Sequence, residues 1–391
     1  MKLTEVNSAA ETDVFLQVNA EMNKGNPNYI RPLNVEVNEV FNKAKNRLFK
    51  YGEAKRWILY NDNNKPVGRI AAFTNSKYVN NGTDYTVGGI GFFDCINDQN
   101  AANLLFDVAK QWLQQQGMEA MDGPINFGDR DKWWGLLVEG SERPPVYGLA
   151  YNPPYYQELI ENYGFKNYYN QYYFAMGVDD PLPPKFPERY AKFKAKPGYS
   201  ARHISIKNLE KHAQDFATVY NAAWAQHGEA KEITKDGVMK LFNKMKPVMD
   251  ERLIWFAYYK EEPIAMWINI PDLNEYFKHF NGKFGWIEKL RLLWMKRHGE
   301  CKIFTGVAFG IVPKYQALGI DSFMIQEGGY LLQHKGWYNT YEMGWAGDWN
   351  PKMINIYKSL GAHQSRRLIT YRYIFNETKH PFERHPVMEY K

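Results

Sequence analysis

The chain has 391 residues, a formal net charge of +6, 45% apolar residues and a high aromatic share of 16%. That length exceeds what one ordinary core organises, so two domains are expected. No apolar run nears the roughly 18–20 residues of a membrane span, MKLTEVNSAAETD lacks an apolar signal core, and no Lys/Arg stripe marks a nucleic-acid binder.

The modest positive charge suits an anionic ligand or an anionic membrane surface. Cys95 and Cys301 sit in apolar, strand-like runs with no basic pattern that would lower a thiol pKa, so two buried, unreactive thiols of a reduced, cytoplasmic protein are expected. The nine histidines show no His-x-x-x-His or Cys-x-x-Cys company, and no metal site is expected.

In chain order, a strand (Lys2 to Val6) and helices at Glu11 to Met22 and Val37 to Lys45 precede a hairpin. Its arms, from Trp57 and from Val67, flank the polar turn Asn61 to Lys65. A strand (Gly88 to Cys95), an amphipathic helix (Ala101 to Gln115) and a strand near Met118 to Met121 follow. The long loop Gly123 to Pro154, a helix (Tyr155 to Tyr163), Gly164 and an aromatic strand (Tyr168 to Met176) close a first lobe, 1–178. Five prolines among charged residues over 179–197 have linker composition. The order then restarts: strand from Tyr199, helices from Leu209 and Lys235, and a hairpin through Leu253 to Ile270. After an insertion at 272–300 come the strand Lys302 to Val312, the helix Ser322 to His334 and the strand Asn339 to Trp345. Asn350-Pro351 opens the helix Lys352 to Leu360, which Gly361 ends before the strand Leu368 to Phe375. Trp57 and Trp255, like Gly164 and Gly361, recur at roughly 197 residues, the mark of a duplicated unit. The fold class is α/β: two tandem lobes, the second at 198–378 with a tail at 379–391, each a mixed sheet covered by helices on both faces.

The strand, helix, glycine and strand of 338–375 resemble the last segment of the GNAT N-acetyltransferase superfamily. The whole resembles bacterial two-lobed acyl-CoA N-acyltransferase-like proteins through GPINFGDRDKWWGLLVEG (123–140), YNPPYYQELIENYGF (151–165), IPDLNEYF (270–277) and YEMGWAGDWNPKM (341–353). It is also similar to bacterial ceramide-synthase-like enzymes. The resemblance implies acyl transfer from acyl-CoA or acetyl-CoA to an amine. Tyr357, four residues before Gly361, would protonate the leaving thiolate. Val307, Phe309 and Gly310 lie on the strand expected to splay, where backbone N–H groups would polarise the thioester carbonyl. The loop Val312 to Asp321 would cradle the CoA pyrophosphate through Gln316, Ala317, Gly319 and Ile320, with Asn350 nearby. Asp321 departs from the Gly or Ala of the family. Lobe 1 has neither the glycine loop, with Asn97 to Ala102 in its place, nor the tyrosine, which is Ile160 there. Lobe 1 is therefore expected to shape the substrate site and lobe 2 to hold the donor.

Glu342 is the first candidate for the base that takes the amine proton, ahead of Asp348; a buried ion pair is the rival role for Glu342. Asn126, Asp129, Arg130, Trp133 and Trp134 in the long loop, and Asn274, are candidates to face the acceptor, with interlobe packing the rival for the tryptophans. As a helix, KFGWIEKLRLLWMKRHG (283–299) gathers Trp286, Ile287, Leu290, Leu293 and Trp294 in one arc with Lys289 and Lys296 opposite. That pattern suits peripheral membrane contact at the inner membrane face, or a helix packed over an acyl tunnel or between subunits. Three functions stay open: N-acylation of a small amine, long-chain N-acylation of a lipid or sphingoid-base amine, and non-catalytic acyl-CoA binding. The expected state is a monomer or homodimer.

Overall fold

The computed structural model describes residues 1–78, 83–128, 130–224 and 232–388. Lobe 1 contains β1 (Lys2–Glu5), α1 (Ala9–Met22), α2 (Asn34–Val40), β2 (Ala54–Tyr60), β3 (Pro66–Phe73), β4 (Val87–Cys95), α3 (Gln99–Gln115), β5 (Ala120–Gly123), β6 (Leu136–Glu139), α4 (Tyr156–Tyr163) and β7 (Lys166–Gly177). Between the lobes lies α5 (Lys185–Lys194). Lobe 2 contains β8 (Tyr199–His203), α6 (Leu209–Trp224), α7 (Lys235–Met245), β9 (Ile254–Tyr259), β10 (Glu262–Pro271), α8 (Asn274–Phe277), α9 (Trp286–Arg297), β11 (Ile303–Ile311), α10 (Ile320–Leu332), β12 (Thr340–Gly347), α11 (Pro351–Ser359) and β13 (His363–Ile374).

Local chemistry sets many of the boundaries. Ser8 and Glu11 form a capping box on α1, and the Asp98 carboxylate accepts from the backbone N–H groups of Asn100 and Ala101 to start α3. The Asn350 side chain accepts from the Met353 N–H, and Pro351 takes the first position of α11, where no amide hydrogen is needed. Gly164 and Gly361 follow the helices α4 and α11 with φ of 108° and 87°, a left-handed conformation that a Cβ would strain.

The strands join one continuous sheet in the order β1-β2-β3-β4-β5-β13-β7-β12-β11-β10-β9-β8, with β6 beside β13. Within each half the pattern is the same: three antiparallel pairings, a parallel pair (β4 with β5, β11 with β12), then one more antiparallel strand. That last strand is exchanged. β7 completes the sheet of lobe 2 by pairing with β12, β13 completes the sheet of lobe 1 by pairing with β5, and β7 and β13 pair with each other at the centre. The exchange is pinned by Arg372 of β13, whose Nε and Nη2 donate to the Asp122 carboxylate of β5 at 2.7 and 2.8 Å with both side chains fully buried. The guanidinium lies 3.6 Å from the Tyr168 ring centroid, and the Tyr78 hydroxyl donates to Asp122 at 2.7 Å. The paired charges thus have the additional partners that burial demands.

In lobe 2 alternate residues of β9 and β10 divide between two cores. Ile254, Phe256, Met266 and Ile268 pack under α6 and α7, whereas Trp255, Ala257, Ala265 and Trp267 pack on the other face with α10 and α11. Three features differ from the sequence reading. Residues Lys185–Lys194 of the expected linker form α5, because Pro184 precedes it and Pro187 falls in its first turn, where proline is tolerated. Phe186 and Phe193 are buried there, the latter with its ring 5.7 Å from that of Phe323 on α10. The long loop yields β6, which pairs with β13. In the insertion Leu292 and Met295, not the Trp286 arc, face the core.

Replacing Asp122 by Asn leaves the guanidinium buried without a counter-charge. The expected cost is about 3–5 kcal/mol of stability, read by urea or thermal unfolding, with both lobes melting in one transition because the strand belongs to both.

Candidate active site

The parallel pairing of β11 with β12 covers only Ile303–Thr340, Phe304–Tyr341 and Thr305–Glu342. Beyond Thr305, β11 keeps its ladder to β10 as far as Ile311, while β12 continues against β7, so the two strands open into a V. The β10–β11 register slips at Asn269, leaving Val307 as the extra residue of a bulge that twists β11 away. At the floor of the V two glycines meet. A Cβ on Gly344 would lie 3.0 Å from the Gly306 carbonyl oxygen, and one on Gly306 only 3.2 Å from the Gly344 nitrogen.

A cavity of about 590 Å³ occupies the V. Tyr220, from the helix covering one face of the sheet, and Tyr357, Ile325 and Leu332, from the helices on the other, line it together. The cavity therefore passes through the sheet between the splayed strands.

Tyr357 on α11 is buried, and its hydroxyl makes no hydrogen bond to any described residue; the Gly344 Cβ position lies 3.9 Å from it. Burial, with Tyr341 and Tyr173 nearby, holds its pKa well above the ordinary tyrosine value, so the proton is retained. Tyr341, at the V floor, accepts from the Trp267 indole at 3.0 Å and is pushed up to about 12 by burial. Glu342 lines the cavity and is buried. Arg366 Nη1 lies 2.9 Å from one of its oxygens, Arg143 Nη1 lies 3.7 Å from the other, and Ser365 donates to it at 3.1 Å. The cavity thus holds a protonated hydroxyl on the helix α11 and a carboxylate on the strand β12.

Of the donor residues expected from sequence, Val307 and Phe309 line the cavity, and Gly310 continues the same strand. Val312 closes the hairpin by donating its N–H to Ile264, and Gln316 turns back to donate to the Ile311 carbonyl at 3.1 Å. Ala317 (φ 60°) and Gly319 (φ 97°) bring the loop round to Ile320, the buried first residue of α10. Arg189 of α5, which no motif marks, stands beside this helix start: its Nη1 donates to Ser322 Oγ at 3.3 Å, and its Cδ lies 3.0 Å from the Gly319 Cβ position. A guanidinium and the first-turn amides at one helix end suit a pyrophosphate.

Other candidates stand apart from the cavity. Asp348 pairs with Arg384 of the tail and accepts from the Asn170 side chain at 2.7 Å, and Asn350 serves as the α11 cap. Asn274 donates to the Pro145 carbonyl at 2.8 Å, Trp134 donates to the Tyr169 hydroxyl at 2.8 Å, and Asn126 is buried in lobe 1. Arg130 lies over Trp345, 5.0 Å from its ring centroid, and Asp129 falls outside the described residues. The same loop does reach the cavity two positions on, through Asp131 and Lys132. Lys132 donates to Glu36 at 2.8 Å and to the Tyr147 hydroxyl at 2.6 Å, a polar group at the lobe junction that residue spacing could not reveal. Burial pushes the Cys95 and Cys301 thiols up to about 12, which makes both poor nucleophiles.

In lobe 1 the matching V is shut. β4 and β5 pair through Val87, Gly88 and Gly89, then the chain crosses the opening: the Ile125 N–H donates to the Ile90 carbonyl at 2.7 Å, and Ile125 and Phe127 join a core with Phe73 and Trp134. A Cβ on Gly91 would lie 1.9 Å from the Ile125 oxygen. Val in place of Gly344 should close the lobe 2 V as lobe 1 is closed. For the CoA-ester site that the sequence resemblance implies in lobe 2, calorimetric titration should then show affinity falling at least about tenfold, roughly the loss expected when a buried ligand group is displaced by a side chain.

No protein-family model matches the sequence. Over 370 residues it is 26% identical to the bacterial ceramide synthase of Caulobacter vibrioides, covering 93% of this chain and 94% of that protein. Over 365 residues it is 24% identical to protein YghO of Escherichia coli, covering 91% of each. Among solved structures, a tandem GNAT protein from the clavulanic acid biosynthesis pathway superposes with a TM-score of 0.54 at 10% identity, covering 96% of this chain and 99% of that one. A GCN5-related glucosamine N-acetyltransferase region of a fungal multi-domain β-N-acetylglucosaminidase gives 0.54 at 11% identity over 95% of this chain, which spans only 38% of that longer protein. The fold of this chain is thus that of two tandem GNAT-like α/β lobes in one polypeptide.

Proposed function

We propose that the protein transfers an acyl group from an acyl-CoA, held in lobe 2, to an amine. The observation that carries this reading is the cavity through the sheet: donor and acceptor can approach from opposite faces and meet above the Gly306–Gly344 floor of the V. The β12-facing edge of β11 beyond Thr305 has no strand partner, so its amides are available to the thioester carbonyl as negative charge develops on it. Glu342 takes a proton from the attacking nitrogen, directly or through water, while Arg366 fixes the orientation of the carboxylate. The new C–N bond forms, the C–S bond breaks, and Tyr357 gives its proton to the departing sulfur. The raised pKa of this tyrosine keeps that proton in place until the sulfur develops charge.

The apolar lining from Met176, Val178, Leu182, Ile325 and Leu332 supports a donor longer than acetyl. Likeness to a ceramide synthase along most of the chain supports a long-chain amine lipid as acceptor. The test is free-thiol release from acetyl- to palmitoyl-CoA against soluble amines and sphingoid bases. CoA-ester binding without thiol release in any combination would make the protein a binder and overturn the enzymatic reading.

Tyr357→Phe should lower turnover about ten- to a hundredfold while leaving the thermal midpoint almost unchanged, since no hydrogen bond is lost. Glu342→Gln should do both kinds of damage. Turnover falls by a comparable factor, and about 3–5 kcal/mol of stability is lost as Arg366 stays buried beside a neutral amide.

A further inference from the structure

α9 stands out from the body with an uncovered apolar face. Trp286, Ile287, Leu290, Leu293 and Trp294 are each more than half exposed, Trp286 reaching 81%, and at 3.6 residues per turn they share an arc of about 120°. The opposite side is firmly anchored. Leu292 and Met295 are buried, and the Lys296 ammonium donates to the Pro247 and Met249 carbonyls at 2.7 and 3.1 Å. That fixes Lys296 to the body, so the helix presents its apolar face without having to reorganise.

The charges flanking this face are mainly basic, with the acidic Glu300 exposed beyond the helix C-terminus. Lys283, Lys289, Arg291 and Arg297 are all exposed, with Lys289 and Arg291 on its two shoulders and Lys289 Nζ 5.1 Å from the Trp286 ring centroid. The acidic residue of the helix, Glu288, is turned to the N-terminus, where it accepts from the Gly285 N–H at 2.7 Å. Cores of protein–protein interfaces are depleted in lysine, whereas a helix lying in a lipid headgroup layer combines apolar bulk, tryptophan at its margins and basic flanks. Charge complementarity therefore selects an anionic bilayer over a second protein surface. The face is also joined to the cavity: the rings of Tyr147, which lines it, and Phe277 lie 5.6 Å apart, as do those of Phe277 and Phe284, two residues before Trp286.

We propose that α9 docks the protein on an anionic lipid surface. Resting on the acyl-transfer reading, this docking would also set the lobe junction close to an acceptor carried in the membrane. The experiment is co-sedimentation of the full chain with phosphatidylcholine vesicles, with and without phosphatidylglycerol, at low and high salt. The wild-type chain should bind the anionic vesicles and lose binding at high salt. The double variant Trp286→Glu/Leu290→Glu should bind at least about tenfold less at an unchanged thermal midpoint, since both side chains are exposed. Lys289→Glu/Arg291→Glu should weaken association with anionic vesicles only. No wild-type binding at low salt, or equal binding by the double variant, overturns the proposal. So does a homodimer that the double variant dissolves without any vesicle binding, which would give the face to a second copy. Thiol release with a soluble amine separates the two readings: loss of docking leaves it intact, whereas a failed acyl-transfer reading leaves vesicle binding intact without it.

Discussion

The structure depends on β12 having somewhere to go when it leaves β11. A strand that gives up one ladder forfeits hydrogen bonds on that edge, and an opening of this kind survives only if the other edge is secured. β7 secures it, through pairings from Thr340–Gly177 to Gly347–Gln171. β7 in turn is held by β13, and β13 is locked to lobe 1 by the buried Arg372–Asp122 pair. The V in lobe 2 is therefore braced by a strand from the first half of the chain and, one strand beyond it, by the ion pair that joins β13 to β5. The lobes are repeats in sequence and a single unit in their hydrogen bonding.

Duplication supplied two potential clefts, and small differences in the backbone keep only one open. In lobe 2, β12 runs eight residues, past the V floor to Gly347. In lobe 1, β5 stops at Gly123, and the chain turns back across the opening to place Ile125 against Gly91. The contact is possible because Gly91 has no side chain; any other residue would collide with a carbonyl oxygen. An apolar plug from Ile125 and Phe127 then replaces what a ligand would supply. Hydrophobic burial stabilises the closed lobe.

The repeat was readable because it rests on local chemistry: hairpin turns, caps such as Asn350 with Pro351, and the two left-handed glycines recur at matching places. The same locality made Tyr357 visible, four residues before Gly361 in a strand–helix–strand segment. The strand exchange was not readable, because a period of two says which side chains are buried and nothing about which strand lies alongside. For the same reason the partners of the candidate carboxylates were hidden: Arg366 of Glu342 and Arg384 of Asp348 come from strand β13 and from the tail. α5 was obscured by its prolines, which are as compatible with the first turn of a helix as with a linker. With that helix went Arg189, the one cation beside the start of α10 that a loop motif alone cannot anticipate.

The position of Glu342 ties the chemistry to the architecture. The carboxylate sits on the last residue of β12 that still pairs with β11, so it is fixed where the V begins to open. Its nearer cation, Arg366, sits on the exchanged strand, and its farther one, Arg143, on the lobe 1 loop. One charge from the exchanged strand and one from lobe 1 therefore flank the carboxylate. One carboxylate oxygen thus has Arg366 and the Ser365 hydroxyl close by, and the other faces the more distant Arg143. An isolated second lobe would keep Tyr357 and the donor loop but lose β7 behind β12 and Arg143 beside Glu342. Lobe 1 thus contributes β7 and Arg143 to the surroundings of groups that the other lobe carries.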